Sequence, residues 1–239
     1  MDMQRQNTLQ KFLNQLKINT YENESIIPLV DQALTHVSSG KKENHEPLEF
    51  LGDAVIRLAS TEYIDKFHPE LTVGQRSSLR AQLVSDRWLA QLGHEYKLKP
   101  LLILGQKANC DTAASSTLLA DTTEALIGAV YKATNSMQSI HAWLTPHWQK
   151  TADAVLRCPE MYEGKSALQE WSQARGLGLP QYITKEINQK HGDPHRFQSL
   201  VIIAENVEEK GLGRSRKEAE QAAATAALRH LNLIELAEK

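Results

Sequence analysis

Four acidic residues in two separate stretches carry the chemistry open to this chain. In Glu46-Pro47-Leu48-Glu49-Phe50-Leu51-Gly52-Asp53-Ala54-Val55, Glu49 and Asp53 stand four apart, which on a helix stacks their carboxylates on one face. Glu46 precedes Glu49 by three, at or just before the first turn. Like charges in that relation are mildly unfavourable when exposed and more so when desolvated, so a cation should compensate them. A nearby Lys or Arg would serve, and so would a metal ion. The second stretch, Leu118-Leu119-Ala120-Asp121-Thr122-Thr123-Glu124-Ala125-Leu126-Ile127-Gly128-Ala129-Val130, favours the metal. Its only charges are Asp121 and Glu124, and no Lys or Arg follows before Lys132. Buried carboxylates persist only when paired or bound to a cation. Four oxygen ligands from two helices suit Mg²⁺ or Mn²⁺ rather than zinc.

Those carboxylates need helices to hold them. Pro47 is tolerated only in a first helical turn, so a helix should open there and run to about Phe67. Its apolar stripe is read as Leu48, Leu51, Val55 and Leu58. Further amphipathic helices are expected over 5–18, 26–36, 75–83 and 86–96, the last capped by Ser85. Leu101 to Gly105 is ambiguous between a strand and a helical turn, and Gln106 to Ser116 reads as a polar loop. A helix follows through the second acidic motif, and another from Ser136 to about Leu156 carries Trp143 and Trp148. The first 157 residues therefore read as an all-helical domain.

At Cys158-Pro159-Glu160-Met161-Tyr162-Glu163-Gly164 the composition suggests a hinge, making 158–164 a linker. Beyond it, over 165–235, the pattern is αβββα, a small α+β domain. A helix covers 166–175, strands cover 181–187, 196–204 and about 207–211, and a last helix runs from Arg216 to about Leu231. Ser215 reads as the N-cap of that helix, with Glu218 completing a capping box. Arg216 and Lys217 fall in its first turn, where a cation opposes the helix dipole by about 0.3–1 kcal/mol each. With Arg214, after a Gly211-Leu212-Gly213 read as flexible, they form a cationic cluster suited to a phosphate.

Composition bounds the rest. The chain has 239 residues, enough for two cores, with ordinary apolar and charged content. A net charge of −2 confines any nucleic-acid site to a local patch. Cys110 and Cys158 lack metal-ligand spacing and suit a reducing compartment. Met1 to Leu16 shows no signal-peptide run and no stretch is apolar enough to span a bilayer, so a cytoplasmic protein that does not engage membranes is expected. No Ser–His–Asp or Cys–His arrangement competes as a nucleophile. A di-iron carboxylate protein would want Glu-x-x-His pairs on facing helices, and none is suitably placed.

At Asn44 to Val55 and Leu119 to Tyr131 the sequence resembles bacterial ribonuclease III, and Gly211 to Ala227 is similar to the signature of its double-stranded-RNA-binding domain. The resemblance implies a homodimeric Mg²⁺-dependent endoribonuclease, with Mn²⁺ able to substitute. Its ligands would be Glu49, Asp53, Asp121 and Glu124, with Asp53 and Glu124 most critical for chemistry and Glu46 an accessory. It would cut double-stranded RNA to 5′-phosphate and 3′-hydroxyl ends, in ribosomal RNA precursors and structured transcripts. Ser215, Arg216 and Lys217 would hold phosphates, while Gln169 and His195 would meet the minor grooves. Phe50 would sit between subunits. A binding module that grips duplex RNA without cutting is the rival reading, and the presence of all four acids argues against it. Two departures stand out: Val73-Gly74-Gln75 lacks glutamates found in many members, and Gly164 replaces a common Pro, loosening the expected linker.

Overall fold

A computed structural model describes residues 1–18, 25–105, 115–157, 159–189, 193–203 and 207–231. Cys110, Cys158 and most of the expected loop at 106–116 lie outside them. The chain divides into two compact units, Met1–Ala152 and Asp153–Lys239.

The first unit is helical: α1 (Met3–Gln15), α2 (Ile26–Ala33), α3 (Glu46–Phe67), α4 (Val73–Leu83), α5 (Asp86–Glu95), α6 (Ser115–Thr134) and most of α7 (Met137–Arg157). The division between units thus falls inside α7 rather than after it. Helix α6 is the hub, with α2, α3 and α5 packed on it. Leu119, Ala120 and the run from Ala125 to Val130 are buried. So are Thr122 and Thr123, whose hydroxyls donate to the carbonyls of Leu118 and Leu119, both at 2.7 Å, so that neither is buried unsatisfied. Trp148 of α7 is fully buried, and its indole N–H donates to the Leu83 carbonyl at 3.2 Å.

Helix α3 differs from expectation in the rotation of its core face. Leu48, Gly52, Val55, Ile56, Ala59 and Tyr63 are buried, whereas Leu58 is 53% exposed and Phe50 85% exposed. The core stripe thus runs through Gly52 and Ile56, and Leu58 belongs to an outward apolar face. Gly52 is buried because α6 crosses there: a Cβ on it would overlap the Glu124 carbonyl, and one on Gly128 would overlap that of Leu48.

The segment at 99–105 resolves as a 3₁₀ turn (Lys99–Leu101) followed by a single parallel bridge between Ile103 and Thr35. Ile103 N–H donates to the Leu34 carbonyl at 2.8 Å, and His36 N–H donates to the Ile103 carbonyl at 3.0 Å. The segment fixes the chain on which His36 is carried. At the start of α4, Thr72 and Gln75 form a reciprocal capping box. Gln75 therefore has a structural task at the head of α4.

The second unit holds α8 (Pro159–Ala174), β1 (Gln181–Glu186), β2 (Phe197–Ile203), β3 (Val207–Gly213) and α9 (Arg216–His230). Its antiparallel sheet has the order β1-β2-β3, and Leu168 of α8 joins Val201, Ile203, Ala223, Ala227 and Leu228 in one core. Two glycine readings are corrected. The expected hinge is helical from Pro159 onward, and Gly164 lies inside α8, where a Cβ would approach Thr225 Oγ1 to 2.6 Å. Gly164 thus permits close packing of α8 on α9 rather than loosening a linker. Gly211 and Gly213 are strand residues, paired with Ser199 and Phe197. A Cβ on either would collide with α9 backbone, so their smallness serves contact, not flexibility.

Candidate active site

The N-terminus of α3 is built by short-range bonds. Asn44 Oδ1 accepts the Glu46 N–H at 3.0 Å, and His45 N–H donates to the Thr35 carbonyl at 2.9 Å. From this anchored start Glu49 and Asp53 project one turn apart. The Gly52–Gly128 crossing then brings Asp121 and Glu124 of α6 against them. An open cleft of about 660 Å³ results, lined by His36, His45, Glu46, Glu49, Asp53, Asp121 and Glu124 among others. The structure thus brings together all four acids singled out in the sequence, and Glu46 with them.

The electrostatics are those of crowded anions with too little positive charge. Burial raises the Glu124 pKa, and the charges of Asp53, Glu49, Asp121 and Asp86 push it further, to about 7. Glu49 is also raised, by burial and then by Asp121 and Glu46. Asp121 is raised by burial, against the opposing pull of His45. These acids are half-buried rather than buried, because the cleft opens to solvent. Asp53 has the cation that the first acidic pair demanded: Arg57 Nε lies 2.8 Å from its Oδ1. Both partners are well exposed, so this pair is weak.

Sequence reasoning passed over His36, His45 and Arg57, of which His45 lies deepest. His45 is 3% exposed, its Nε2 lies 3.3 Å from Glu49 Oε2, and its ring stacks on that of His36 with centroids 4.9 Å apart. Burial lowers the His45 pKa, against the opposing pull of Asp121, Glu46 and the Thr35 backbone. Donor atoms of His45, Glu49 and Asp121 lie within 4.8 Å of one another, a group able to hold a metal ion. The signal was present as a His four before Glu49, the spacing that stacks two ligands on one helical face.

The second unit places its polar candidates on its surface. Gln169 on α8 is exposed, as is His195 in the turn before β2, where its N–H donates to Asp193 Oδ1 at 2.8 Å. Arg214, Ser215, Arg216 and Lys217 are all exposed at the start of α9. Ser215 Oγ accepts the Glu218 N–H at 3.2 Å, but Glu218 answers by accepting the N–H of Arg214 rather than that of Ser215. Phe197, which the sequence did not flag, links the two regions. The guanidinium groups of Arg196 and Arg216 stand 5.2 and 5.8 Å from its ring centroid.

Comparison with known proteins agrees with this layout. Residues 27–145 match the Ribonuclease-III-like family, and 165–231 match the double-stranded RNA binding motif. Ribonuclease 3 of Prochlorococcus marinus is 48% identical over 205 residues, covering 86% of this chain and 82% of that protein. Ribonuclease 3 2 of a Nostoc species is 42% identical, covering 83% and 82%. A solved nuclease domain of ribonuclease III from Campylobacter jejuni aligns with 64% of this chain and 96% of its own, at 27% identity and a TM-score of 0.48. Among the described residues no helix is long and apolar enough to cross a membrane. With two acidic helices meeting in one cleft and an αβββα unit after them, the chain belongs to the ribonuclease III family of double-stranded-RNA endoribonucleases.

Proposed function

We propose that the chain hydrolyses phosphodiester bonds of duplex RNA at a divalent-metal centre held by Glu49, Asp53, Asp121 and Glu124. The observation that carries this reading is the convergence of these four acids in one cleft, with Glu124 raised to about 7. Such a donor set fits Mg²⁺, with Mn²⁺ able to substitute. When bound, divalent ions supply an activated water and neutralise charge on the phosphate under attack. The protein's own contribution is placement. The glycine crossing fixes the spacing of the two acidic pairs, and Arg57 restrains Asp53. Arg216 and Lys217 grip phosphates, with Ser215 beside them, while Gln169 and His195 meet the minor grooves. Glu46 assists at the cleft's edge.

The products of this reading are 5′-phosphate and 3′-hydroxyl ends. Each chain carries one centre, whereas a duplex has two strands to cut. The active form is therefore a homodimer, in which the outward apolar face of α3, with Phe50 and Leu58, meets its copy. Its substrates are ribosomal RNA precursors and structured transcripts, and its compartment is the cytoplasm. The test incubates pure protein with a long RNA duplex, with Mg²⁺ and with EDTA, and determines the end chemistry. Cutting that persists in EDTA, or cyclic phosphate ends, would overturn the metal-dependent reading.

A further inference from the structure

We propose that His45 is an additional ligand of this metal centre, converting an all-oxygen site into a mixed nitrogen–oxygen one. The inference rests on the metal-centre reading above and adds to it a donor and a metal preference. Three observations carry it. The ring is almost wholly buried, and among the described residues its Nδ1 makes no well-formed hydrogen bond. Its Nε2 is 3.3 Å from Glu49 Oε2. The donor atoms of His45, Glu49 and Asp121 all fall within 4.8 Å of one another. Donors bound about 2.0–2.2 Å from one ion stand roughly 3–4 Å apart, so small side-chain movements would close the set.

The ring's placement is built in. His45 sits just before the first residue of α3, four before Glu49, with its backbone N–H held by the Thr35 carbonyl. Stacking on His36 then restricts how the ring can turn. Imidazole is a softer donor than carboxylate and favours later divalent metals over Mg²⁺. This chain should therefore prefer Mn²⁺ to Mg²⁺ more strongly than a variant lacking the imidazole.

The test uses the full-length protein loaded with Mn²⁺ and pulsed electron paramagnetic resonance, which reads nitrogen bound to the ion directly. Wild-type protein should show ¹⁴N modulation that changes when histidine is labelled with ¹⁵N. His45→Asn should bind Mn²⁺ without that modulation, and its ratio of Mn²⁺ to Mg²⁺ affinity should fall at least about tenfold. His36→Asn should keep the modulation, which assigns the nitrogen even if the His45 variant fails to fold. Mn²⁺ bound by wild type without nitrogen modulation would overturn the His45 assignment and leave the carboxylate centre standing. Modulation that survives His45→Asn would also overturn it. Failure of the wild type to bind Mn²⁺ at all would overturn both readings.

Discussion

Gly52 of α3 and Gly128 of α6 meet backbone to backbone: a Cβ on Gly128 would come within 3.1 Å of Gly52 N. The two acidic pairs flank this contact, so the distance between them depends on it. Gly52→Ala must push the helices apart, because the obstructing atoms are backbone and cannot rotate away. The expected cost is at least about 1–3 kcal/mol, a melting decrease on the order of 5–10 °C. Thermal melting followed by circular dichroism checks it. A variant as stable as wild type would show that the crossing is looser than this geometry.

Glu124→Gln keeps the side chain's shape and removes its charge. Cleavage should fall at least about 100-fold, while duplex binding stays unchanged because the cationic cluster lies in the other unit. Gel cleavage and filter binding on one preparation separate the two effects. Wild-type turnover at saturating Mg²⁺ would remove Glu124 from the mechanism.

The raised Glu124 pKa predicts an inverted pH dependence of stability. Folding lifts this carboxyl from about 4.5 to about 7, so between those values the folded protein holds more protons than the unfolded one. Stability of the metal-free protein should therefore decline as pH rises through that window and level off above it. Glu49 and Asp121 shift in the same direction and add to the slope. For a half-exposed group the Glu124 share is on the order of 1 kcal/mol after solvent screening. Glu124→Gln should flatten the curve. A saturating divalent ion should reverse it, since ligation needs the deprotonated form.

Arg216 and Lys217 sit where a helix dipole disfavours them. Replacing both with Ala should leave the second unit as stable as before or slightly more so. RNA binding should weaken uniformly across sequences, with the salt slope shallower by about one for each phosphate no longer neutralised. Melting beside binding at several salt concentrations tests this. A loss of several kcal/mol with an unchanged slope would make these residues structural.

Phe50→Glu places a charge on the outward face of α3 without touching the core. The proposed dimer should dissociate to folded monomers, seen by sedimentation, because an unpaired charge buried between subunits is costly. A variant that remains dimeric would place the interface elsewhere.

The sequence was most informative where one residue type answers one physical demand. Carboxylates at i, i+4 and i, i+3 marked the cleft, and Pro47 and Ser85 marked helix starts that the structure shows. It was least informative where the same residue serves two demands. Gly164, Gly211 and Gly213 looked like flexibility, yet each allows close packing on α9, which shows only once that helix is in place. Leu58 fits the apolar periodicity as well as Ile56 does, and only the position of α6 decides which faces inward. His45 was passed over because its surroundings are assembled from Thr35, His36 and Asp121, none of them its neighbour in sequence.

Helix α3 presents three distinct sides. Leu48, Val55 and Ala59 face the core, Glu49 and Asp53 the cleft, and Phe50 and Leu58 point outward. Each residue advances the helix by about 100°. Adding or removing one residue between Phe50 and Leu58 would turn everything downstream by that angle. Apolar side chains would then swing into the cleft, or acids into the core. A substitution disturbs one side, but a change of length disturbs all three at once. The length of this segment is therefore held by three requirements at once.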